Sequence, residues 1–196
     1  MNYKALVSTA VLALAMPFAQ AGSFDFSCTD CPIALDPNAP SDTTTLSSIN
    51  VDLSGAIQDI NVFISIEHTF SGDLDIFLIN DTTGTMVELT TDNGGGNDDA
   101  YLDTTFDDDA AINIVDAAVP FTGTFAPEGL LADFNGEDLM GSWTLSITDD
   151  FTFDGGQVLD WGIFGEAEMA AVAEPGMLSL MGLGIVGFAI ARRRKS

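Results

Sequence analysis

The sequence predicts an all-β protein whose strands pack as a β-sandwich. Two observations carry this. Apolar residues recur with a period of two in several short runs, and Gly and Asp punctuate those runs. Val, Ile, Thr and Phe dominate between the termini, with no long amphipathic helical pattern and no internal repeat. A third observation concerns charge. Lys4 and the set Arg192, Arg193, Arg194 and Lys195 are the 5 basic residues, so residues 22–176 hold no Lys or Arg, while all 30 Asp and Glu fall there. The formal net charge is -25. Such a polyanion disfavours nucleic acid and anionic membrane surfaces as partners, and favours divalent cations, basic partners or a screening medium.

Residues 1–21 read as a secretory signal peptide. Lys4 precedes an apolar core, and Ala19-Gln20-Ala21 supplies the small-x-small pattern, so signal peptidase is expected to cut after Ala21. The apolar run is too short to serve comfortably as an anchor. Residues 22–45 are polar and carry Pro32, Pro37 and Pro40, which predicts an extended arm. Within it Cys28 and Cys31 form a Cys-x-x-Cys pair. In an oxidising compartment the default is a local disulfide. A redox motif would want a strand–helix context, and a zinc site would want two further ligands.

From Leu46 the period-two pattern begins. Ile60, Val62, Ile64 and Ile66 alternate with Asn61, Phe63, Ser65 and Glu67, a strand with one face in a core. Leu74, Ile76 and Leu78 mark a strand over 73–80. Residues 81–84 are a turn, followed by a strand over 85–90. Trp143, Leu145 and Ile147 alternate with Thr144, Ser146 and Thr148. The last strand is expected at 157–164.

Several blocks in this region, in order, carry a resemblance: Glu67-His68-Thr69-Phe70-Ser71-Gly72-Asp73-Leu74, Thr105-Phe106-Asp107-Asp108-Asp109, Pro120-Phe121-Thr122-Gly123, Gly141-Ser142-Trp143-Thr144-Leu145, and Gly155-Gly156-Gln157-Val158 with Trp161. The chain here resembles the P domain, or Homo B domain, of kexin- and furin-type proprotein convertases. The resemblance spans about residues 46–168 and implies a jelly-roll-like β-sandwich. In that family the P domain follows and stabilises a subtilisin-like catalytic domain.

The C-terminal end has three parts. Residues 169–176 form a linker containing Glu174, Pro175 and Gly176. Residues 177–191 are apolar and, as a helix, would cover about 22 Å against roughly 30 Å of hydrocarbon. The basic tail 192–196, with Arg192, Arg193 and Arg194, is expected to hold that end in the cytoplasm. Together these resemble the PEP-CTERM sorting signal of Gram-negative bacteria, although Ala173 stands where the box has its first proline. The resemblance implies an exosortase as processing partner, passage through the inner membrane, and display at the cell surface or in an exopolysaccharide or biofilm matrix.

No catalytic constellation is expected. A Ser-His-Asp triad needs a histidine base between a carboxylate and a serine. The sole histidine is His68, which the P-domain motif claims as a hydrogen-bonded strand residue. Gly-x-Ser-x-Gly, His-Glu-x-x-His and phosphate-loop patterns are absent from the sequence. Two carboxylates can hydrolyse glycosides, but with so many acids no pair is singled out. The acidic clusters suggest Ca²⁺ as cofactor, with Asp98, Asp99, Asp107 and Asp108 as ligands and Asp73 as an outlying one. Neither EF-hand spacing nor the Gly-Gly-x-Gly-x-Asp repeat fits these clusters. The expected role is a non-catalytic exported module, structural or binding; the alternative is an accessory domain that docks on a separately encoded subtilisin-like protease.

Overall fold

A computed structural model of the chain describes residues 20–169. The signal-peptide reading before residue 20, the box residues Glu174, Pro175 and Gly176, the 177–191 helix and Arg192, Arg193 and Arg194 lie outside the described residues. Ten strands form: β1 (Gln20–Ser27), β2 (Ile33–Leu35), β3 (Thr43–Val51), β4 (Gly55–His68), β5 (Leu74–Asn80), β6 (Thr85–Thr91), β7 (Tyr101–Phe106), β8 (Gly123–Phe125), β9 (Gly141–Asp149) and β10 (Gly156–Met169). Three single 3-10 turns, Ser71–Asp73, Ile114–Asp116 and Leu131–Phe134, interrupt them.

The strands make a sandwich of two sheets. One runs β1-β10-β4-β7-β8, with β2 also paired to β10; the other runs β3-β9-β5-β6. All pairings among named strands are antiparallel except β7 with β8. The core fills from both inner faces. Ile60, Val62, Ile64 and Ile66 of β4 and Trp161 and Ile163 of β10 are buried on one side. Leu74, Ile76 and Leu78 of β5 and Trp143, Leu145 and Ile147 of β9 are buried on the other. These are the alternating sets expected from the sequence.

The buried indoles also satisfy their N–H groups, as a closed core requires. Trp143 Nε1 donates to the Leu139 carbonyl at 2.9 Å. Trp161 Nε1 donates to Ser47 Oγ at 2.7 Å, joining the β10 sheet to β3 in the other.

Bulges adjust the period. Val158 and Trp161 are both buried though three residues apart, because the β4–β10 register shifts between Val158 and Asp160. The same logic places both Ile57 and Ile60 inside, where the register shifts again opposite Glu166 and Ala167.

The extended arm expected over 22–45 is corrected. β1 pairs along β10 from Gln20↔Met169 to Ser27↔Gly162, and β2 pairs with the start of β10. Phe24 and Leu35 enter the core. The reason is that β10 is long and would otherwise present an unpaired edge. The disulfide between Cys28 and Cys31 forms at the end of β1.

Candidate functional site

The chemistry-bearing side chains gather where β4 and β9 end. His68 closes β4 and Asp149 closes β9. The turn Ser71–Asp73 follows β4, and the 150–155 loop follows β9. The turn is pressed against the glycine-rich loop: Gly72 N donates to Gly95 O at 2.9 Å. A Cβ on Gly72 would lie 2.7 Å from the Gly95 backbone, so the close approach requires glycine there.

The backbone of His68 is clamped by Asp99, whose Oδ1 accepts from His68 N at 3.0 Å while Asp99 N donates to His68 O at 2.9 Å. Its ring is fully buried. Nδ1 lies 2.9 Å from the Phe70 carbonyl oxygen, and Nε2 lies 3.3 Å from Asp149 Oδ2. Asp154 reaches in from the loop, and one ligand atom each from His68, Asp149 and Asp154 falls within 4.8 Å of the others. Asp73 lies beside this group. Burial first, then the adjacent Asp154 carboxyl and repulsion from Asp149, push its carboxyl up to about 6 against a smaller opposing effect of His68. A second cluster, Asp75, Asp92 and Asp150, lies close by in sequence. Burial first, then Asp150 and Asp92, raise the carboxyl of Asp75.

The five residues expected to bind Ca²⁺ are not brought together as one set. β7 separates them: Asp98 and Asp99 precede it, Asp107 and Asp108 follow it, and six extended residues span about 20 Å. Asp98 is exposed. Asp99 holds His68. Asp107 Oδ1 accepts from Asp109 N at 2.8 Å. Asp108 accepts from Leu131 N at 3.0 Å and Ala132 N at 2.8 Å, capping the turn Leu131–Phe134. Asp73 lies beside the His68 group instead. Sequence reasoning missed Asp149 and Asp154. They stand about eighty residues from His68 among many other acids, and only the run Asp149-Asp150-Phe151-Thr152-Phe153-Asp154 pointed to them.

That run also carries an apolar surface. Phe151 is 64% and Phe153 92% exposed, and Phe153 sits at φ 79°. A non-glycine residue at positive φ costs energy, and a phenylalanine held in solvent gains nothing from burial. An open depression lined by Leu35, Pro37, Thr69, Phe153 and Gly155 adjoins it.

Comparison with known proteins places this architecture. The model of the proprotein convertase P-domain family matches residues 57–164, and that of the PEP-CTERM protein-sorting motif matches residues 171–195. No curated protein matches the chain. Among solved structures, the Aeromonas sobria serine protease in complex with the chaperone is similar at a TM-score of 0.47 and 16% identity, covering 80% of this chain and 28% of that one. The serine protease of Aeromonas sobria is similar at 0.43 and 16%, covering 79% and 28%. This chain thus spans a little over a quarter of the length of those proteins. The sorting motif marks an exported protein that passes by way of the membrane toward the cell surface, with an exosortase as its processing partner. The chain belongs to the proprotein convertase P-domain family.

Proposed function

We propose that the protein is a non-catalytic P-domain module, sorted by an exosortase to the cell surface or the exopolysaccharide matrix, where it serves as a structural or binding unit. The observation that carries this reading is the sequestration of His68. Its ring is buried, one nitrogen faces a backbone carbonyl and the other faces Asp149, and among the described residues no serine hydroxyl hydrogen-bonds to it. A general base must reach the proton it removes, and this ring is turned away from solvent. The exposed Phe151 and Phe153, on an acidic loop, suit an adhesive or docking role.

A second reading is docking on a separately encoded subtilisin-like protease, as P domains do within one chain in their family. The same Phe loop favours it. One experiment separates the two. The purified mature protein is mixed in turn with exopolysaccharide from the producing strain and with a subtilisin-like protease of that strain. Co-sedimentation with polysaccharide, weakened by Phe151→Ser with Phe153→Ser, supports the first reading. A higher melting temperature of the protease, abolished by the same change, supports the second. Peptide or glycoside hydrolysis by the mature protein alone would overturn both.

A further inference from the structure

The hydrogen bonding of His68 leaves one question of charge. Nδ1 lies 2.9 Å from the Phe70 carbonyl oxygen, which only accepts, so Nδ1 carries hydrogen. The Phe70 N–H approaches the same atom less closely, at 3.3 Å, so the carbonyl contact sets the tautomer. Nε2 then faces a carboxylate oxygen, Asp149 Oδ2, and a positive charge, either a second ring proton or a metal ion, lies between the two.

The distance distinguishes the cation. A charge-assisted N–H···O bond is about 2.7–2.9 Å long, whereas Nε2 and Oδ2 are 3.3 Å apart. Two ligands each about 2.0–2.1 Å from a tetrahedral metal ion sit about 3.3–3.4 Å from one another. The contact has the length of two ligands sharing an ion. A third oxygen is available, because Asp154 Oδ1 is buried and has no hydrogen-bond partner. The other ring nitrogen of His68 donates to a backbone carbonyl, which fixes the ring's orientation as in many metal-bound histidines.

We propose that His68 Nε2, Asp149 and Asp154 form a binding site for a divalent transition ion of the Zn²⁺ class. One imidazole with carboxylates suits Zn²⁺ or Mn²⁺, whereas Ca²⁺ takes oxygen ligands throughout. The described residues contain no Lys or Arg to neutralise these carboxylates, so a metal ion would supply the missing positive charge. It would tie the ends of β4 and β9 to the loop bearing Phe151 and Phe153, so the ion is structural and sets the loop's shape. This goes beyond the display role and does not depend on it.

The test uses the mature protein, kept oxidised so that Cys28 and Cys31 stay paired, stripped with a chelator and titrated separately with Zn²⁺, Mn²⁺, Ca²⁺ and Mg²⁺ by calorimetry. One equivalent of Zn²⁺ is expected to bind, and to raise the melting temperature, at concentrations where Ca²⁺ and Mg²⁺ do neither. Asp154→Asn, on the loop, should weaken Zn²⁺ binding by about tenfold or more, whereas Asp92→Asn in the neighbouring cluster should leave it unchanged. Nitrogen-15 spectra of His68 in the unaltered protein provide a readout that needs no variant, and the Nε2 resonance should move on adding Zn²⁺. Absence of Zn²⁺ binding, binding indifferent to Asp154→Asn, or a protonated Nε2 that Zn²⁺ does not displace would overturn the proposal. In the last case a proton occupies the position assigned here to the metal.

Discussion

Trp143 concentrates more of the core than any other side chain of β9. It is fully buried, its ring meets Phe134 edge-on with centroids 5.0 Å apart, and its N–H is bound to Leu139 O. Trp143→Ala removes the packing and leaves a cavity, at a cost of about 3–5 kcal/mol. Trp143→Phe keeps most of the contact area and loses the hydrogen bond, at about 1–3 kcal/mol. Urea unfolding should rank the native protein above Trp143→Phe, and that above Trp143→Ala. Coincident midpoints would contradict the assigned strand face. Glu137 organises polar contacts at the same scale, accepting from Asn80, Thr83 and Thr85 at the β5–β6 turn. Asn80 is itself buried, so this carboxylate satisfies a donor that would otherwise be stranded.

Among the elements, β1 has the largest consequence for how the chain is divided. Its pairing with β10 makes residues 22–27 part of the sheet, not a tether. Removing residues 22–35 should expose the β10 edge and the Phe24 site, and the truncated protein should melt lower and self-associate. A truncated chain that stays monomeric with an unchanged melting temperature would restore the arm. The Cys28–Cys31 bridge closes so short a loop that its loss should cost only about 2 kcal/mol.

β4, β5, β6, β9 and β10 were legible because burial of their apolar sets writes a period of two into the residues, whereas β3 was not, since its Leu46 points outward while Ser47 is buried. β1 was also written that way, in Phe24 and Phe26 around Asp25, but the neighbouring prolines concealed it. β8 is three residues long and pairs in parallel with β7, too short to show a period. The site was half legible. His68 stood out by its singularity and its motif. Its partners did not, because carboxylates abound and the contact between β4 and β9 ends is made only by folding.

At the scale of the molecule, charge is the dominant constraint. Among the described residues the sole contact between a basic side chain and a carboxylate is His68 Nε2 with Asp149 Oδ2. Burial, with repulsion from neighbouring acids, raises the carboxyls of Asp59, Asp75 and Asp150 above the ordinary 3.8. A raised folded value means that the native state binds more protons than the unfolded chain, so stability falls as pH rises through that interval. Asp138 runs the other way. Hydrogen bonds from Met140 N, foremost, and from Gly55 N and Ser54 hold its carboxyl low, so its contribution is lost only at still lower pH. The raised carboxyl of Asp73, pushed up to about 6, titrates near neutrality, so at fixed high ionic strength the protein should melt higher near about pH 5 than near about pH 7. Asp73→Asn should reduce the difference. A melting temperature that rises with pH over this range would refute the assignment.

Release of this exported P domain through its sorting signal is open to direct measurement. The direct measurement is the mass of the mature protein recovered from a host with an exosortase and from the same host lacking it. The first is expected to end near Glu174 and Pro175, in the surface or matrix fraction, and the second to retain the segment through Arg192, Arg193 and Arg194 in the membrane fraction. The same C-terminus in both hosts would contradict it.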